Sequence, residues 1–105
     1  MGKYIAERML RFKYPDNRLV EVKLSIGLPY KNDDISWSCP VTLEGLHDKV
    51  HDIVGADSFQ ALMLAQNLAR TLLLNVVDKG VKIYSLEDNN ENHEIEINKL
   101  FQEGI

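Results

Sequence analysis

The sequence predicts an α+β fold: a mostly antiparallel sheet in the order strand-strand-strand-helix-strand, with one long helix packed on one of its faces. Three observations carry this. Residues 19–28 alternate apolar and polar with period 2, the signature of a half-buried strand. Residues 59–78 repeat apolar side chains at helical spacing. Between the alternating segment and an earlier one lies Pro15-Asp16-Asn17-Arg18, in which proline presets φ and Asp and Asn tolerate turn geometry.

Residues 4–14 read as the first strand, with Leu10, Phe12 and Tyr14 on one face and Arg11 and Lys13 on the other. With residues 19–28 they form a hairpin, in which Val20, Val22, Leu24, Ile26 and Leu28 face inward and Glu21, Lys23 and Ser25 outward. Residues 29–34 make a polar loop. A third strand follows, with Ile35, Trp37, Cys39, Val41 and Leu43 inward and Ser36, Ser38, Thr42 and Glu44 outward. Pro40 lies inside it and has no N–H for the ladder, so the strand sits at an edge or is bulged there. Gly45 ends the pattern. Residues 47–54 are either a short fourth strand or an irregular return.

Gly55-Ala56-Asp57-Ser58 opens the helix, with Asp57 or Ser58 as its cap. Ala61, Leu62, Ala65, Leu68, Ala69, Leu72, Leu73 and Val76 form its core face, and Gly80 ends it. Residues 81–86 form a short strand. Residues 87–94 contain no apolar side chain and read as a loop. Ile95, Ile97, Leu100 and Phe101 are too apolar to stay in water, and dock as an added strand or a short helix.

The chain has 105 residues, the size of one domain. It divides into a body, residues 1–86, and an acidic loop with a C-terminal docking segment, residues 87–105, of the same domain. Hydrophobic residues make up 45% and charged residues 27%, which excludes wholesale disorder. No apolar run reaches the roughly 18 residues of a membrane span. Lys3, Glu7, Arg8 and Arg11 punctuate the N-terminus, and no signal-peptide core follows. The single Cys39 has no partner for an internal disulfide. A soluble, cytoplasmic protein with no membrane partner is expected.

Charge is unevenly placed. Residues 87–105 hold six acids and one base, net -5, while residues 1–86 hold ten acids and eleven bases, net +1. An acidic tail repels phosphate and suits a basic protein partner, so no nucleic-acid partner is expected. The outer face of the first hairpin carries Arg11, Lys13 and Lys23, but Glu21 is placed for cross-strand pairing and no aromatics interleave, which describes a solvated sheet face.

No catalytic constellation is visible, and neither enzymatic activity nor a cofactor is expected. His47 and His51 are four apart, as helical metal ligands would be, yet no third ligand is near and the segment need not be helical. Asp88, Asn90 and Asn92 begin like a calcium loop, but His93 stands where glycine is needed and Lys99 where the closing glutamate should be. Cys39 has the parity of an inward-facing core thiol.

Phe59, Met63, Leu74 and Val77 lie beside the core face of the helix, toward its polar arc. Something should bury this extra stripe. Either the apolar residues of 95–101 fold back over it, or it is a dimer or partner interface.

Gly27-Leu28-Pro29, Trp37-Ser38-Cys39-Pro40-Val41, Gly45-Leu46 and Gly55-Ala56-Asp57-Ser58-Phe59-Gln60-Ala61-Leu62, with Ala65 and Arg70, resemble a family of small bacterial domains of unknown function. The resemblance spans residues 26–86 and is most specific over 55–65. More loosely, three strands followed by an Asp-Ser-x-x-Ala-Leu helix start are similar to HicB-type antitoxin domains, which are partner-binding modules. The proline-rich element that often follows the last strand of that family is absent here.

The expected function is a small protein-binding protein of the immunity or antitoxin kind that inhibits a bacterial toxin, a basic nuclease. Asp33, Asp34, Glu87, Asp88, Glu91 and Glu94 would supply its negative field. The alternative is a self-associating structural or regulatory domain, a homodimer joined through Phe59, Met63, Leu74 and Val77. A metal protein using His47, His51 or His93 ranks third.

Overall fold

The alternation and turn chemistry of residues 4–27 build an antiparallel hairpin. The computed structural model describes residues 4–46, 52–86 and 94–101. In it β1 (Tyr4–Lys13) runs antiparallel to β2 (Leu19–Gly27), pairing Leu10 with Val22 and Phe12 with Val20. The turn closes with Asn17 N–H donating to Tyr14 O and Tyr14 N–H donating to Arg18 O, both at 2.9 Å. Asn17 takes φ 71°, a left-handed conformation that asparagine tolerates. Leu10, Phe12, Val22, Leu24 and Ile26 are buried, as their parity predicts.

The segment predicted as one edge strand is two strands in two sheets. β3 (Tyr30–Lys31) lies inside the predicted loop, followed by β4 (Trp37–Cys39) and β5 (Val41–Glu44). With β6 (Ile53–Gly55) and β7 (Lys82–Ser85) later in the chain, β5 is the edge of a four-stranded sheet in the order β5-β2-β1-β7, whereas β4 is the centre of a three-stranded sheet in the order β3-β4-β6. β6 (Ile53–Gly55) is the short fourth strand allowed for within residues 47–54. Pro40 is where the chain changes sheet, because its missing N–H breaks the ladder. Gly27 seals this crossing: its N–H donates to Pro40 O at 2.8 Å, and a Cβ at position 27 would lie 2.7 Å from the proline ring.

Two predicted orientations change as a result, and one outward residue is buried. Leu28 (50% exposed) and Ile35 (79% exposed) lie beyond the ends of β2 and β4 and are not inward core residues. Ser25 faces outward but is buried, because Glu7 of β1 and Thr42 of β5 stand directly opposite on either side. An ion pair at 3.2 Å joins Glu7 to Lys23 next to it.

Helix α1 (Ser58–Asp78) buries Ala61, Ala65, Ala69 and Leu73 against β2, β4, β5 and β6, so both sheets pack on one helix. Small side chains at the contact let helix and strands approach closely. Lys79 and Gly80 N–H groups turn back to Val76 O and Val77 O, and β7 (Lys82–Ser85) then pairs with β1. Ile95 N–H donates to Ile83 O at 2.7 Å beside a bridge between Tyr84 and Glu94. The chain then enters α2 (Ile97–Leu100), which docks on α1. Among the described residues no helix is long and apolar enough to cross a membrane.

Candidate functional site

The first turn of α1 is held by local chemistry. The Asp57 carboxylate accepts from Gln60 N–H at 2.7 Å, and Gln60 Oε1 accepts from Ala56 N–H at 2.6 Å, a reciprocal cap that satisfies two amides at the helix entrance. Behind it, a Cβ at Gly55 would lie 2.6 Å from Ala61 N, so β6 and the helix touch backbone to backbone. One turn along, Phe59 faces outward.

The apolar stripe beside the core face is split in two by the C-terminal segment. Leu74 and Val77 are half-buried and, with Ile95 and Ile97, wall an open cleft of about 370 Å³ rimmed by Glu94, Glu96 and Asn98. Arg70 Nη1 donates to Asn98 Oδ1 at 3.3 Å, and Phe101 borders a second, more polar cleft with Gln66 and Asn67. Toward the helix N-terminus, Phe59 is 70% and Met63 47% exposed. The C-terminal segment therefore folds back over Leu74 and Val77, while Phe59 and Met63 stay exposed.

Of the predicted acidic partner-binding residues, the described ones, Asp33, Asp34 and Glu94, lie on two different sheets. The Asp33 carboxylate accepts from Ile35 N–H (2.9 Å), Ser36 N–H (2.8 Å) and Ser36 Oγ–H (3.0 Å). The Ile35 amide first, then the Ser36 hydroxyl, hold its pKa below the usual carboxylate value. Asp33 is thus committed to shaping the β3–β4 turn, with Asp34 exposed beside it. Glu94 is exposed at the outer edge of β7, in the other sheet. Glu87, Asp88 and Glu91 lie outside the described residues, as do His47, His51 and His93. Among the described residues no group of three or more His, Cys, Asp and Glu side chains is placed to hold a metal ion.

The small sheet carries a polar network that sequence reasoning missed. Tyr30 donates its hydroxyl proton to the Asp52 carboxylate, and Asn32 Nδ2 donates to Ser38 Oγ at 2.8 Å. The carboxylate raises the Tyr30 pKa, because ionising the phenol would lose the hydrogen bond and set two anions together. Tyr30 and Asp52 are far apart in sequence, and only the β3-β4-β6 pairing brings them together. Cys39 is buried, its thiol donating to Gly27 O at 3.3 Å. Burial first, and then the Asp52 charge, push its pKa up and leave the thiol protonated and unreactive. Arg8 shares the helix-side parity of Leu10, and its guanidinium donates to Ser85 Oγ at 3.3 Å.

No curated protein and no solved structure matches the chain significantly. Gly27 against Pro40, where the chain crosses between sheets, and Gly55 against Ala61, where it enters the helix, both lie within the family resemblance, so that pattern encodes two close packing contacts. A family model covers both contacts and both sheets: the chain belongs to DUF6968, a domain of unknown function, which matches residues 6–97.

Proposed function

We propose that this domain works by binding another protein, as an immunity- or antitoxin-type inhibitor of a basic bacterial toxin. The observation that carries the reading is an acidic stretch anchored at both ends. Leu86 N–H donates to Met9 O at 3.1 Å at its start. At its far side Ile95 N–H holds Ile83 O and Ile97 is buried. Between these anchors, residues 87–94 carry four acids and no lysine or arginine, net -4, beside a body, residues 1–86, of net +1. A segment tethered at both ends loses less entropy on binding, and concentrated negative charge speeds encounter with a basic surface. The looser likeness in element order to HicB-type antitoxin domains points the same way, at the level of fold alone.

The test is co-expression with the product of the neighbouring reading frame. Rescue from toxicity with a stoichiometric complex is the expected result. Neutralising Glu87→Gln, Asp88→Asn, Glu91→Gln and Glu94→Gln together is expected to slow association about tenfold, with the rate of the unaltered protein falling as salt rises. No toxicity and no complex would remove the reading. A complex indifferent to the four substitutions would remove its electrostatic mechanism.

A further inference from the structure

Where the C-terminal segment folds back on α1 it leaves a cleft and not a closed seam. Leu74, Val77, Ile95 and Ile97 form the apolar walls, and the exposed Glu94 and Glu96 stand at the rim. Among the described residues no Lys or Arg lines it. Leu74 and Val77 lie at the C-terminal end of α1, the negative end of the helix dipole, and the last turn carries no basic side chain. Asp78 ends the helix instead, four residues on from Leu74 and so on the same side. Neighbouring cations are engaged or face away. Arg70, one turn before Leu74, donates to Asn98. Lys99 pairs with Glu96 at 3.8 Å, but both side chains are more than half exposed and water screens the contact. Lys79 caps the helix about 140° round its axis from Leu74.

We infer that this cleft receives an arginine side chain from a protein partner. The argument is complementarity to both halves of that side chain. Arginine carries a planar cation on an apolar stem, and it buries the stem while the head stays among polar groups. The cleft has the matching order, with apolar walls below and carboxylates at the mouth. A purely apolar side chain would strip water from Glu94 and Glu96 and give them no partner. An acidic one would meet like charges and the negative end of α1. A guanidinium is weakly hydrated and holds its donors in a flat fork that suits carboxylates, whereas a lysine ammonium is compact and strongly hydrated. The cleft also adjoins the acidic stretch, whose last acid is Glu94. The stretch draws in a basic surface, and the cleft holds one side chain of it. This inference rests on the protein-binding reading and deepens it, without requiring that the partner be a toxin.

Amide resonances of the full chain decide it. The probe is N-acetyl-arginine amide, titrated to about 20 mM because one side chain binds at roughly the millimolar level. Saturable shifts are expected at the Ile95, Ile97 and Asn98 amides. N-acetyl-citrulline amide keeps the shape and loses the charge, and methylguanidinium keeps the charge and loses the stem. Each is expected to bind about tenfold more weakly. Glu94→Gln with Glu96→Gln, at exposed positions with no side-chain cap at Glu96 to lose, is expected to weaken the arginine probe about fivefold. No saturable shift at these amides overturns the inference. Citrulline binding as well as arginine would leave only an apolar cleft, and methylguanidinium binding as well would leave only an acidic surface; either overturns it. So does probe binding that appears only after residues 102–105 are deleted, or only on dilution of the protein, which would seat the chain's own end or a second copy there. A cleft that takes the probe while co-expression yields neither toxicity nor a complex would keep this site and remove the toxin.

Discussion

The contact between Gly55 and the helix backbone leaves no room for a side chain. Gly55→Ala would force β6 and α1 apart, and is expected to cost about 1–3 kcal/mol, read from urea midpoints. Asp57→Ala removes the carboxylate that accepts from Gln60 N–H and is expected to cost about 1 kcal/mol. Asp33 gives a pH signature. Its folded pKa lies below the unfolded value of 3.8, so its contribution is present above that value and is lost as pH falls through the folded pKa. Asp33→Asn, which keeps an acceptor oxygen but no charge, is expected to flatten the acid limb of a stability-pH curve below about pH 4. The helix cap was legible in the sequence because donor and acceptor are neighbours along the chain. The Tyr30–Asp52 pair was not, because only the pairing of three short strands creates it.

At the scale of elements, Pro40 was legible as a break but not as a change of sheet. Trp37, Cys39, Val41 and Leu43 keep one apolar parity through the crossing because both sheets pack on α1. A pattern that buries the same face on either side of the proline carries no mark of the switch. The docking of residues 95–101 was legible from their apolarity. The mixture of one bridge and one short helix was not, since four-residue helices lie below the length at which periodicity speaks. This clip is held by few contacts, so Ile97→Ala is expected to speed hydrogen exchange at the Ile95 amide much more than at Ile83 in β7. On the opposite face Lys13 and Lys82 stand directly across from each other in β1 and β7, both exposed. Lys82→Glu is expected to stabilise the sheet by about 0.5 kcal/mol, measured by thermal unfolding at low salt.

Over the whole molecule, salt sets the strength of the proposed contact. Binding through the acidic segment is expected to weaken steeply between low and physiological ionic strength. A salt series on the complex checks it. How much of the candidate site could be read beforehand follows from the same physics. The stripe of Phe59, Met63, Leu74 and Val77 was visible as periodicity, but its division between clip and open face depends on where seven residues beyond β7 come to rest.

The strand order β5-β2-β1-β7 also fixes a schedule. β1 is an inner strand of the finished sheet, yet its partner on one side, Lys82–Ser85, is synthesised only after the long helix. As the chain leaves the ribosome, the first hairpin must keep one edge unpaired until almost the entire domain has emerged. Such an edge invites other strands. The alternation of Arg11 and Lys13 with buried Leu10 and Phe12 places charge along it during that interval, guarding a nascent chain against pairing with its neighbours on the polysome.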